Sequence, residues 1–213
     1  MKIAVIIPVK TFSKAKTRLD ISSDKVEKLC KVMLEEIVQT ATISPRIDKV
    51  IIVTKEPAVT EIAQKYNAYI IPDENEESVN SAVALADKFL LENNFDASIV
   101  LPQDIPYIKT QDIDFMLNFM TPPNFAIIIP SRRFDGTNAL MRMPIDLMKT
   151  HYDEDSYKIH MNTAKEHTLN VAMVFVKRIM WDVDNMEDLN FLLEQEEKPH
   201  IAKKIREILE ISE

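Results

Sequence analysis

The chain has one glycine and one cysteine among its 213 residues, and no apolar run long enough to cross a bilayer. Each shortage excludes a class of protein. With Gly136 alone, the glycine-rich loops of Walker or dinucleotide-binding type are ruled out, because their backbone amides reach phosphate only where Cβ atoms are missing. Any phosphate bound here must be met by side chains, and positive-φ geometry is left to Asn and Asp. Cys30 cannot close an intramolecular disulfide. It lies on the apolar side of a helical pattern with Val26, Leu29, Met33, Leu34 and Ile37, as a packed thiol of a reducing compartment would. The N-terminal apolar run is too short for a signal segment, so a cytoplasmic protein with no membrane partner is expected. Positive charge is also scarce: 26 Lys and Arg stand against 34 Asp and Glu, a net charge of -8. A nucleic-acid partner is thereby excluded, since affinity for a polyanion is mostly phosphate neutralisation.

Against that acidic background the loop Pro8–Leu19 is conspicuous. Lys10, Lys14, Lys16 and Arg18 fall within nine residues with no acid among them. The loop leaves residues 2–7, a short β-branched run ended by proline that reads as a buried strand. Ligands of open α/β sheets sit outside the carboxyl ends of strands, so the cluster points to an anion, a phosphate chain above all. Charge runs are more often a solvated face; position favours the ligand.

Apolar periodicity predicts further strands at 48–54, 68–71, 97–101 and 125–129, and helices at 24–43, 57–66, 76–94 and from Thr110. Asp24 is the expected N-cap of the first helix. This β-α-β alternation is that of a parallel sheet with right-handed crossovers. After Pro130 it breaks into a polar loop 131–138, a short strand 139–143, a helix 155–168, a strand 170–176, an extended segment 180–184 and helices 186–196 and 200–211 divided by Pro199.

Three constellations carry chemistry. Asp104, between two prolines in Leu101–Pro106, is a carboxylate stiffly held past a strand and suited to a divalent cation, although Asp also caps turns. Asp182 and Asp184 alternate on an extended segment and can share a face and one Mg²⁺, or Asp184 can cap the helix that follows. The segment Pro130–Leu140 surrounds Gly136 with hydroxyl, amide and guanidinium groups able to hold a small anion, or forms an ordinary Asp-Gly turn. Ser156 and His160 stand at i and i+4 of a helix start; most lone histidines are neither ligands nor bases.

Taken in order, Ile7–Lys10 with Ala15–Leu19, Val79–Ala82, Leu101–Pro106, Asp135–Leu140, Ser156-Tyr157 with His160, and Asp182–Asp184 followed by Glu187–Leu189 resemble the 2-phospho-L-lactate guanylyltransferase family of coenzyme F-420 biosynthesis, over nearly the whole chain. The resemblance implies an α/β, three-layer, mostly parallel sheet of the nucleotide-diphospho-sugar transferase (glycosyltransferase-A-like) type. It implies one domain, with nucleotide-binding βα units over 1–130, an acceptor-side elaboration over 131–184 and C-terminal helices over 185–213. The implied reaction is transfer of GMP from GTP to the phosphate of a phospho-acid, with release of pyrophosphate.

Carried onto this chain, the resemblance implies that Pro8, Lys10, Lys16, Arg18, Asn80 and Asp104 meet the nucleotide, with Lys16, Arg18 and Asp104 catalytic. Asp104, Asp182 and Asp184 would hold Mg²⁺, and Thr137, Asn138 and Ser156 would face the acceptor. Glu77-Ser78 and Asp153-Glu154-Asp155 stand where the family tends to carry glycine, and acids there repel an anionic acceptor unless they point away or bind metal. Phosphoenolpyruvate, another phospho-acid or a sugar phosphate remains open as acceptor, as does a non-catalytic GTP sensor. A two-fold homodimer is the expected assembly.

Overall fold

In the computed structural model, residues 1–211 are described apart from Glu154 and Glu196. The expected end of a helix at 196, the middle of the acidic run 153–155 and the last two residues lie outside that set. Ile3–Pro8 forms β1, whose first five residues are all buried, as expected for a strand covered on both faces. It sits inside a seven-stranded sheet of order β3-β2-β1-β4-β6-β5-β7, where β2 is Lys49–Thr54, β3 Tyr69–Pro72, β4 Ala97–Val100, β5 Phe125–Pro130, β6 Thr137–Met143 and β7 Val171–Met173. β1 pairs in parallel with β2 on one side and with β4 on the other. The chain therefore winds outward to β3 and returns across β1, and the carboxyl ends of β1 and β4 flank the topological switch point where α/β sheets bind ligands.

The helices are α1 (Ser23–Thr42), α2 (Val59–Tyr66), α3 (Val79–Glu92), α4 (Thr110–Leu117), α5 (Ser156–His167), α6 (Met186–Leu193) and α7 (Pro199–Leu209). Helix α1 lays Val26, Cys30, Leu34 and Ile37 against one sheet face, and α3 lays Ala82, Val83, Ala86 and Leu90 on the other, giving three layers. Burial pushes the Cys30 thiol up to about 11, consistent with an inert core thiol. Leu29 and Met33 of α1 meet Leu189, Leu192, Ile201 and Ile205 of the last two helices. Among the described residues no helix is long and apolar enough to cross a membrane.

Several local expectations are corrected. Ser22, not Asp24, occupies the N-cap of α1, and Asp24 stands in its first turn. Asn185, not Asp184, caps α6, accepting from the Asp188 N–H. The basic loop contains 3₁₀ turns at Phe12–Lys14 and Thr17–Leu19. β6 starts at Thr137 and runs antiparallel to both β4 and β5, while β7 ends at Met173. Gly136 has no positive φ; among the described residues the left-handed positions are Lys16, Asp20, Asn67, Glu76, Asn94, Phe134, Asp155 and Glu210. Asn and Asp fill half of them, and at Lys16 and Glu76 the strain falls on two residues of the cavity described next.

Candidate active site

A cavity of about 380 Å³ opens over the carboxyl ends of β1 and β4. Lys10, Lys14, Lys16 and Arg18 all line it, together with Pro8, Asp104, Asp184 and Thr137. The chain leaves β1 as a proline-ended strand, so the basic loop must turn at once. A left-handed Lys16, φ 54°, between the two 3₁₀ turns carries its side chain inward, while Leu19 anchors the loop in the core. Lys10 and Arg18 are exposed and have no ion-pair partner among the described residues, which leaves both free to meet an anion.

Lys16 is the buried member. Its side chain is 7% exposed, and its Nζ donates to Asp104 Oδ2 and, at 3.0 Å, to Asp184 Oδ1. Burial alone would lower its pKa, but the two carboxylates outweigh burial and hold the ammonium above its ordinary value. The acid-bearing loops are tied together, since the Val183 N–H donates to the Asp104 carbonyl at 3.0 Å. Asp182 Oδ1 accepts from Asn138 Nδ2 at 2.9 Å. Burial, then the charges of Asp104 and Asp184, push the Asp182 carboxyl up to about 6.

The acids expected to share a cation are thus neighbours, but Lys16 bridges two of them, and among the described residues no three acidic or metal-binding side chains are gathered closely enough to hold a metal ion. The donor chemistry nevertheless fits Mg²⁺. Asp104 Oδ1 is buried without any hydrogen-bond partner, an orphaned hard oxygen of the kind that such a cation takes, and Asp182 stands in a field of negative charge that a cation would relieve.

On the other side Thr137, Ser156 and His160 form one buried hydrogen-bonded chain. Ser156 Oγ donates to Thr137 Oγ1 at 3.1 Å, Thr137 Oγ1 lies 2.9 Å from His160 Nδ1, and His160 Nε2 accepts from the His151 N–H at 2.8 Å. Of these, Thr137 reaches the cavity wall. Asn138 points to Asp182 and to the Ile179 carbonyl, and Asn80 Oδ1 accepts from the Tyr152 N–H at 2.8 Å. Those two amides brace neighbouring loops. Arg132 and Arg133, offered by the sequence as anion ligands, both pair with Asp188 at 3.1 and 2.6 Å.

Sequence reasoning missed Asp73, Glu76, Ser78, Gln103 and Tyr152, all on the cavity wall. Glu76 accepts from the Thr11 N–H and pairs with Lys14 and Lys55 at 3.3 Å each. Its signal in the sequence, a place in an acidic run before α3, is indistinguishable from a solvated helix entry.

A sheet with this switch point, a cationic loop after its first strand and acids after β4 and before α6 define the nucleotidyltransferase class. A solved structure with the same fold, a nucleotide-diphospho-sugar transferase by description from Desulfovibrio desulfuricans G20, superposes with a TM-score of 0.76 at 17% identity, covering 97% of this chain and 95% of that one. Residues 3–210 match the family described as "Guanylyl transferase CofC like", and the chain belongs to it. Among its relatives, the 2-phospho-L-lactate guanylyltransferase of Methanothermobacter thermautotrophicus is 29% identical over 98% of this chain and 92% of its own length. The phosphoenolpyruvate guanylyltransferase of Conexibacter woesei is 29% identical over 91% and 88%. The 3-phospho-D-glycerate guanylyltransferase of Colwellia psychrerythraea is 26% identical over 90% and 91%.

Proposed function

We propose that this guanylyltransferase moves GMP from GTP to the phosphate of 2-phospho-L-lactate, or of its unsaturated counterpart phosphoenolpyruvate, and releases pyrophosphate. A phosphate oxygen of the acceptor attacks the α-phosphorus of GTP, the bond from that phosphorus to the α,β-bridging oxygen breaks, and its electron pair leaves on that oxygen with pyrophosphate. The observation that carries this reading is Lys16, buried between Asp104 and Asp184 at the mouth of β1 and β4.

Phosphoryl-type transfer needs in-line positioning and charge stabilisation more than it needs a strong base. Lys16, permanently charged and turned inward, is suited to the oxygens around the reacting phosphorus, and Lys10 and Arg18 to the β- and γ-phosphates that leave. Asp104, Asp182 and Asp184 would hold Mg²⁺, which when bound supplies neutralisation of phosphate charge. Thr137 presents a hydroxyl to the acceptor side. The coenzyme F-420 assignment follows from this choice of acceptor.

The test is pyrophosphate release with Mg²⁺, GTP or ATP being crossed with 2-phospho-L-lactate, phosphoenolpyruvate, 3-phospho-D-glycerate and a hexose phosphate. Release with GTP and 2-phospho-L-lactate or phosphoenolpyruvate is expected, with Asp104→Asn reducing it at least a hundredfold while the fold persists, and release with 3-phospho-D-glycerate alone would overturn the choice of acceptor. Release with the hexose phosphate alone would reassign the acceptor. Binding of GTP without release in any combination would make the protein a sensor and refute the proposal.

A further inference from the structure

His160 is completely buried, and the reaction outlined above gives it no role. Its two ring nitrogens nevertheless face partners that fix its tautomer. Nε2 lies 2.8 Å from the His151 backbone N–H, which can only donate, so Nε2 must be the bare, accepting nitrogen. In a neutral imidazole the proton then sits on Nδ1, 2.9 Å from Thr137 Oγ1. Burial, then His151 and Arg142, push the imidazole down to about 3, so it stays neutral through the working range.

The consequence falls on Thr137. Its oxygen receives the Nδ1–H of His160 and the Oγ–H of Ser156, which occupy both acceptor positions of a hydroxyl. Among the described residues the threonine proton is left with no acceptor, and Thr137 lies on the cavity wall. We infer that His160 is a positioning residue: by donating from Nδ1 it turns the Thr137 hydroxyl into an obligate donor aimed at the anionic acceptor. The inference rests on the proposed acceptor-side place of Thr137 and goes beyond it by saying what sets that hydroxyl's direction. A hydroxyl free to rotate would offer a carboxylate or phosphate its lone pairs as readily as its proton, and a buried donor with a fixed direction loses no freedom on binding.

Two isosteric changes separate this role from simple packing. His160→Asn keeps an N–H donor near the Nδ1 position and loses the partner of the His151 N–H. His160→Gln places an amide near the Nε2 position, which satisfies His151 but withdraws the donor from Thr137. With phosphoenolpyruvate and 2-phospho-L-lactate as probes, His160→Gln should raise the acceptor KM at least tenfold, with the GTP KM within about twofold of wild type. His160→Asn should recover most of that loss although it breaks the other contact. In a Thr137→Val background, His160→Gln should cost nothing further.

Equal losses for Asn and Gln, or a larger loss for Asn, would overturn the inference in favour of packing. So would ¹⁵N NMR of the wild-type protein showing the His160 proton on Nε2, a readout that needs no turnover. Absence of pyrophosphate release from wild type with every acceptor would instead defeat the proposed reaction, while the tautomer measurement still judged the His160–Thr137 contact by itself.

Discussion

Glu76 offers the sharpest quantitative check on the site's architecture. It stands in the left-handed region at φ 51°, just ahead of α3, and its carboxylate reaches across the cavity rim to the Thr11 N–H, Lys14 and Lys55. Burial works against the charge, but the Thr11 N–H and then the two lysines prevail and hold the carboxyl down to about 2 from an ordinary 4.5. Unscreened, such a shift corresponds to about 3 kcal/mol of stability. The Lys14 side chain is 65% exposed and that of Lys55 33%, so solvent screens both ion pairs, and about 1–2 kcal/mol remains, mostly in the charge-assisted bond to Thr11.

Glu76→Gln keeps the shape and removes the charge. It should lower Tm by about 3–6 °C at pH 7.5 and weaken GTP, because the loop that carries Lys10 and Lys14 loses its brace. The pH dependence has a fixed sign. A carboxyl whose folded pKa lies below its unfolded value stabilises fully above about 4.5 and loses that contribution as the pH falls toward 2. Urea unfolding of both proteins between pH 7.5 and 3 should show their gap shrinking to about half. A gap that is absent at pH 7.5, or that persists unchanged at pH 3, would refute the argument.

Two further outcomes follow from features away from the reacting centre. Lys198 donates to Glu36 at 2.6 Å and to the Ile108 carbonyl, with side-chain exposures of 8% and 10% for the pair; Lys198→Met, which leaves the Glu36 carboxylate with His200 alone at 3.3 Å, should cost about 2–4 kcal/mol in urea unfolding with kcat unchanged, and a cost below about 1 kcal/mol would show that His200 or water compensates the charge. Gly136→Ala should shift stability by less than about 0.5 kcal/mol, since an added Cβ meets its nearest neighbours, in Ser131 and Ser156, at an ordinary 3.9 Å and the backbone has no positive φ; a loss above about 1 kcal/mol by thermal melt would contradict this.

The parallel half of the sheet was legible because its strands are short β-branched runs buried on both faces, such as Ile3–Ile7 and Val50–Val53. Helices α1 and α3 announced themselves by periodicity. The cationic loop could be found because Lys10, Lys14, Lys16 and Arg18 interrupt an acidic chain. What escaped depends on distant partners. Nothing local to Arg132 and Arg133 shows that both pair with Asp188, more than fifty residues on, and the antiparallel placement of β6 between β4 and β5 is a tertiary choice that a run of seven residues does not encode. His160 looked unremarkable for the same reason: its chemistry lies in partners at 137 and 151, not in its spacing from Ser156.

The acceptor-side groups also explain how one scaffold can serve relatives named for different phospho-acids. Identities of 29, 29 and 26% over at least 90% of this chain are too alike to rank the acceptors, so discrimination must reside in a few groups. 2-Phospho-L-lactate and phosphoenolpyruvate share a carboxylate and a phosphate carried on the adjoining carbon and differ in the C2–C3 bond, single in one and double in the other, an apolar difference that binding reads weakly. 3-Phospho-D-glycerate adds a hydroxyl and moves the phosphate by one carbon, which changes the number of hydrogen bonds the wall must satisfy. On the proposal that Thr137 faces the acceptor, a fixed donor there would serve the first two equally, and a donor free to become an acceptor would suit the third better. If Thr137 faces the acceptor as proposed, the direction of that hydroxyl, held by Ser156 and His160, would separate the three-carbon acids by polarity before it separated them by size.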